Sequence, residues 1–162
     1  MDISQLIDEL NSAEITLRRR AAERLALAPD AAAAVSLARA SGDDDEQVRE
    51  WVVAALEELG APDPRDVAAL ARLLVDRRPD VRYWAATLLG RVGEPASQVV
   101  DQLSRVLAAD SETTVRQRAA WAIGHLGSAA GSARHALNLA TQDGDVRLAR
   151  LAREALTRLE DG

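Results

Sequence analysis

Val81-Arg82-Tyr83-Trp84-Ala85-Ala86-Thr87-Leu88-Leu89-Gly90-Arg91-Val92-Gly93 and Val115-Arg116-Gln117-Arg118-Ala119-Ala120-Trp121-Ala122-Ile123-Gly124-His125-Leu126-Gly127 are two copies of one pattern. An apolar anchor followed by arginine opens each. A small residue stands four positions on (Ala85, Ala119), a large apolar residue eight on (Leu89, Ile123), an apolar residue eleven on (Val92, Leu126) and glycine twelve on. The anchor recurs at Leu17-Arg18, at Val48-Arg49 and, weakened, at Leu148-Ala149, with intervals of 31, 33, 34 and 33 residues along the chain. At 100° per residue, offsets 0, 4, 8 and 11 share one face of an α-helix. A repeat of ~32 residues holds one helical hairpin, which is too thin to bury a core alone and must stack on its neighbours.

The segment ahead of each anchor supplies the other helix of the hairpin. Val67, Leu70, Leu73, Leu74 and Val100, Leu103, Val106, Leu107 are spaced as one helical face, and Ala31, Ala34, Leu37, Ala38 and Ala133, Ala136, Leu139, Ala140 repeat it with smaller residues. Helices are predicted over 2–11, 14–27, 30–40, 45–59, 64–76, 79–92, 96–109, 112–126, 129–141 and 145–159. Gly60, Gly93 and Gly127 are expected to end second helices in a left-handed cap, with Pro62, Pro64 and Pro95 stopping one helix or opening the next. The expected architecture is all-α: a right-handed α-solenoid of five hairpins forming a single domain over 1–162, with units near 1–28, 29–60, 61–93, 94–127 and 128–162.

Composition fits this reading. Alanine makes up about a fifth of the 162 residues, well above ordinary usage, and its place is at contacts where helices approach closely. The chain has no Phe and no cysteine, which excludes disulfides and thiolate chemistry. Its 20 basic residues are all arginine, and the formal charge is −6, opposite in sign to a general nucleic-acid binder. Met1-Asp2-Ile3-Ser4-Gln5 lacks the basic start and apolar run of a signal peptide, and no stretch approaches the ~20 apolar residues of a membrane span. A cytoplasmic monomer without a membrane segment is expected.

Asp43/Arg49, Asp76/Arg82 and Asp110/Arg116 stand at fixed positions around successive anchors. With the apolar positions and the closing glycines, this pattern resembles the HEAT-repeat family, particularly the compact bacterial type of phycobilin-lyase-like proteins, over essentially the whole chain. The resemblance implies that these six residues form a structural ladder joining successive units. The end units depart from it: Ser12 and Pro29 replace the Asp and Gly of the first, and Ala149 replaces the Arg of the last. The resemblance also implies a binding scaffold, with a lyase-like enzyme as a lesser alternative.

Offsets 3, 6 and 10 lie on a separate side of each second helix, and in HEAT-like stacks that side looks into the concave groove. It gathers all three tryptophans, Trp51, Trp84 and Trp121, with Arg20, Glu58, Arg91, Arg118 and His125. Tryptophan and arginine are the residues most enriched at binding hot spots. The expected function is therefore a non-enzymatic module holding a protein or peptide with acidic and apolar side chains, without cofactor or metal. In a second reading Trp51 and Trp84 only fill gaps between repeats. In a third, Arg118, Arg153 and Arg158 contact nucleic-acid phosphates. Asp43-Asp44-Asp45-Glu46 lacks calcium-loop spacing and is expected to cap a helix. His125 and Glu58 are the nearest titratable candidates for an enzyme, without an evident catalytic partner.

Overall fold

The computed structural model describes residues 2–161; Met1 and Gly162, which open the first and close the last expected unit, lie outside them. The regular structure among the described residues is all helical: ten α-helices, with short 3-10 segments ahead of four of them. They are α1 (Ile3–Leu10), α2 (Ile15–Leu27), α3 (Ala34–Ala40), α4 (Glu46–Glu58), α5 (Val67–Leu73), α6 (Pro79–Val92), α7 (Val100–Ala109), α8 (Thr113–His125), α9 (Arg134–Ala140) and α10 (Val146–Asp161). Consecutive helices pair as hairpins: α1 on α2, α3 on α4, α5 on α6, α7 on α8 and α9 on α10. The result is an all-α solenoid.

Four of the five first helices begin with a 3-10 turn, at Ala31–Ala33, Pro64–Asp66, Glu94–Val99 and Gly127–Ala133, ahead of α3, α5, α7 and α9. Asp30 and Asp63 start two of them, their carboxylates accepting from Ala32 N–H and Arg65 N–H at 2.9 and 2.8 Å, while Pro64 and Pro95 occupy opening positions where no N–H is needed. The tighter turn advances each residue by about 120° instead of 100°, which shifts the phase of the α-helix behind it. Behind Gly127–Ala133, which is seven residues long and breaks at Ala130 (φ −90°, ψ 20°), Leu139, expected inside, is 63% exposed and Leu137 takes the core position, whereas Leu37, behind the three-residue turn of α3, is buried as expected.

The anchors Val48, Val81, Val115 and Leu148 are fully buried, as are the eighth-position residues Leu25, Leu56, Leu89 and Ile123. They meet Leu37, Leu70, Leu74, Leu103 and Leu107 from the first helices in one continuous core. Gly93 and Gly127 adopt φ of +74° and +66°, which only glycine enters freely. Gly60 does not. Helix α4 ends at Glu58, Leu59 is extended (φ −68°, ψ 132°), and carbonyls at the end of α4 are satisfied from another helix.

That exception belongs to a larger one. Second helices pack extensively side by side at α2–α4, α6–α8 and α8–α10, whereas α4 and α6 make no such contact, and α6 leans on α3 instead. Small residues explain the close pairs. Five and nine positions past the anchor stand Ala22 and Ala26 in α2, Ala86 and Gly90 in α6, and Ala120 and Gly124 in α8; α4 carries Val53 and Glu57 there. The Trp121 ring and the Ala122 backbone lie directly over Gly90, and Ala155 lies over Gly124. Glu57 is exposed and would carry a charge into any equivalent contact. The row of second helices therefore has a seam between the second and third hairpins.

Candidate functional site

The Asp–Arg ladder follows the seam. Arg18 Nε meets Asp43 Oδ2 at 2.8 Å, Arg82 Nε meets Asp110 Oδ2 at 2.7 Å and Arg116 Nη2 meets Asp143 Oδ2 at 2.8 Å, each joining one hairpin to the next. The step from Arg49 to Asp76 is missing. Arg49 donates to its own loop, to Asp43 O at 2.6 Å and Asp44 O at 3.0 Å, while Asp76 is bound by Arg78. The six ladder residues thus divide: Arg82, Asp110, Arg116 and Asp43 span units, and Arg49 and Asp76 do not. Asp143 and Arg18, from the atypical ends, complete the outer steps.

The acidic run before α4 is used locally. Asp43 Oδ1 accepts from Asp45 N–H at 2.9 Å, and Asp45 Oδ1 accepts from Val48 N–H at 3.0 Å as the N-cap. Arg19, hydrogen-bonded to Asp45 through Nε and Nη2, lowers that carboxyl's pKa from 3.8 to about 2, with the Val48 N–H adding to the effect.

The tryptophans part company. Trp84 is 8% exposed and packed into the core cluster, with Tyr83 edge-on at 5.4 Å between ring centroids and the Arg91 guanidinium 5.9 Å from its ring. Thr87, one turn on, is buried and donates to Tyr83 O. Trp84 and Arg91 were expected to face the groove; the lean of α6 toward α3 withdraws them from it. Trp51 is half-buried against the core on α4. Trp121 is half-buried on α8. One edge rests on Gly90, and the His125 ring lies against it at 4.0 Å with a 33° tilt.

Two expected partner-binding arginines are engaged within the fold. Arg20 makes a two-pronged pair with Glu9, a residue only 8% exposed on α1, at 3.0 and 2.5 Å. Arg91 spans the seam and caps α4, donating to Leu56 O at 2.6 Å, Leu59 O at 2.8 Å and Glu57 O at 3.5 Å. It occupies the place a left-handed glycine holds elsewhere. Burial, then the charge of Arg118, lowers the Arg91 pKa below its ordinary value. Glu58 is exposed at the last position of α4, on a different helix from His125, whose Nδ1 is 2.8 Å from Trp121 O.

Arg118 differs from both. Its guanidinium lies 4.7 Å from the Tyr83 ring and 5.2 Å from the Trp121 ring, and it donates to the Tyr83 hydroxyl. No carboxylate pairs with it among the described residues. Tyr83, Gln117, Arg118, Trp121, Arg147 and Leu151 surround a hollow of about 120 Å³ between α6, α8 and α10. Two aromatic faces thus hold a guanidinium in one orientation while part of its donor fork stays free. The sequence pattern does not single out Tyr83, which stands two positions past its anchor, outside the groove offsets; its one signal is that it is the chain's single tyrosine. A larger hollow of about 350 Å³ at the hairpin turns contains Arg18 and Arg78, both already paired with aspartates.

No helix among the described residues is long and apolar enough to cross a membrane. The family model for HEAT repeats matches residues 3–80 and again 68–157. A search of curated protein sequences found no match. Among solved structures, an engineered protein from the Northeast Structural Genomics Consortium aligns with 97% of this chain and 47% of its own, at 21% identity and a TM-score of 0.63. A designed armadillo repeat protein in complex with the peptide (KR)4 aligns with 95% of this chain and 80% of its own, at 17% identity and a TM-score of 0.66. The CpcE–CpcF complex of phycocyanin lyase from Nostoc sp. PCC7120 aligns with the whole chain and 66% of its own, at 20% identity and a TM-score of 0.66. The chain spans less than two thirds of the engineered protein and of the lyase chain. At these identities the likeness is one of fold.

Proposed function

The chain belongs to the HEAT-repeat family, and on that premise we propose that it is a non-enzymatic module that holds a protein segment along its second helices, centred on Trp121 and Arg118. The single observation behind this reading is the Arg118 guanidinium, set between Tyr83 and Trp121 with no carboxylate partner among the described residues. A guanidinium oriented in advance loses little freedom when it binds a carboxylate through two bonds. Leu151 and the exposed part of Trp121 give an adjoining apolar side chain a surface, and Arg147 adds positive charge. The segment that fits carries an aspartate or glutamate next to an apolar residue. Of the residues expected to bind a partner, Trp121, Arg118 and His125 remain in the proposed site, and Tyr83 joins them. Trp84, Arg91 and Arg20 leave it because the fold uses them.

Selection from a randomised peptide library tests this. Enriched peptides should pair an acidic with an apolar residue. Trp121→Ala and Arg118→Ala should each weaken the selected peptide by ~2 kcal/mol with the helical circular-dichroism signal retained. Unchanged affinity in both variants refutes the site. Binding of a fluorescent single-stranded DNA that weakens steeply with salt, through the same arginines, would replace the protein partner with nucleic acid.

A further inference from the structure

The seam between α4 and α6 opens to solvent as a groove of about 470 Å³. Each helix offers it a pair of residues one turn apart: Glu46 and Glu50 from α4, Asp80 and Trp84 from α6, with Val53 beside them. Trp84 and Val53 are both largely withdrawn from solvent and give the groove apolar walls. Glu46, Glu50 and Asp80 are exposed, and none is in an ion pair among the described residues. The one cation lining the groove among the described residues, Arg49, has an Nη group committed to Asp43 O and Asp44 O. The α6–α8 and α8–α10 junctions, by contrast, are closed over small residues.

We propose that this seam is a socket for an arginine or lysine side chain of a protein partner, its alkyl stem against Trp84 and Val53 and its charged head among Glu46, Glu50 and Asp80. The charge decides the occupant. Three carboxylates against one partly engaged guanidinium leave a negative mouth, which an apolar or acidic side chain would enter at a cost and a basic one with gain. Long basic side chains also suit apolar walls with a polar rim. This inference rests on reading the chain as a protein-binding module but uses a different junction from the Arg118 hollow. The two sites carry opposite charge, so a partner seated in both would be held in one direction only.

The test is a titration of the intact chain, followed by ¹H–¹⁵N NMR. The probe is an end-blocked peptide of alanine, serine and glutamine with one central arginine; the control carries neutral citrulline in its place. The arginine peptide is expected to shift the Trp84 indole and Val53 amide signals saturably, and the citrulline peptide to leave them in place. Glu50→Gln with Asp80→Asn, both at exposed positions, should weaken the probe about fivefold, while Arg118→Ala should not change its affinity. Equal shifts from both peptides would overturn the proposal, as would full binding to the doubly neutralised variant or no response at Trp84. Trp84 signals that change with protein concentration alone would mean that a second copy covers the seam, which also overturns it. Loss of peptide binding at Arg118 with the seam response intact would remove the proposed acidic-segment site and leave this socket standing.

Discussion

Replacing Gly90 with alanine sets two effects of opposite sign against each other. Helix propensity favours alanine over glycine within a helix by about 1 kcal/mol, and Gly90 lies inside α6. Propensity alone therefore predicts a more stable protein. Packing predicts the reverse. A methyl group at Gly90 would overlap the Trp121 ring and come within 2.9 Å of the Ala122 Cα. One obstacle is a half-buried indole and the other is backbone, so neither yields cheaply. Overpacking of this kind costs about 3 kcal/mol at the upper end of its usual range, leaving a net loss of about 2 kcal/mol. For a chain of this length that lowers the melting temperature by about 4–8 °C. Gly124→Ala, facing Ala155 Cα at 3.0 Å, should cost less, and Gly131→Ala, with nothing within 4 Å, should be neutral. Urea unfolding followed by circular dichroism, with the Trp121 indole observed by NMR, reads both the energy and its cause. A Gly90→Ala protein as stable as the parent would refute the claim that glycine is there to let α8 approach α6.

The ladder makes a related comparison. Asp110→Ala should destabilise by about 3 kcal/mol, because it strands Arg82 in a pair whose side chains are only 11% and 6% exposed. Arg49→Ala should cost at most about 1 kcal/mol, since it breaks two loop hydrogen bonds and no inter-unit pair; equal losses in urea unfolding would contradict the interrupted ladder. Trp84→Ala should cost about 3 kcal/mol of stability, whereas Trp121→Ala should cost less stability and more binding; thermal melts beside peptide titrations separate them. Asp45 titrates at about 2 in the fold against an ordinary 3.8. Its depressed pKa contributes stability that is complete above about pH 4 and lost as pH falls toward 2. Acid unfolding of Arg19→Gln should lose that share of the pH dependence, and an unchanged acid midpoint would dismiss the pair as the cause.

Much of this solenoid is legible before any coordinates. The spacing of Val48, Val81 and Val115, with Leu56, Leu89 and Ile123 behind them, determines ten helices, their pairing into hairpins and the core face of each second helix, because a face repeating every 3.6 residues is a property of one helix alone. The aspartates and arginines of the ladder are likewise visible as residue types at fixed positions. What the period leaves open is which neighbour covers the other faces. Trp51, Trp84 and Trp121 lie on one side of their helices, yet only Trp84 is withdrawn into the core, because α6 rests on α3 and not beside α4. The same displacement turns Arg91 into a cap for α4, leaves Arg49 without Asp76, and opens a seam. The trace of it in the sequence is small: Val53 and Glu57 where the other well-packed second helices carry alanine or glycine. Those residues become meaningful only once helices are set side by side, since the distance between two rigid cylinders is fixed by the bulk of the side chains between them and not by the pattern along either one.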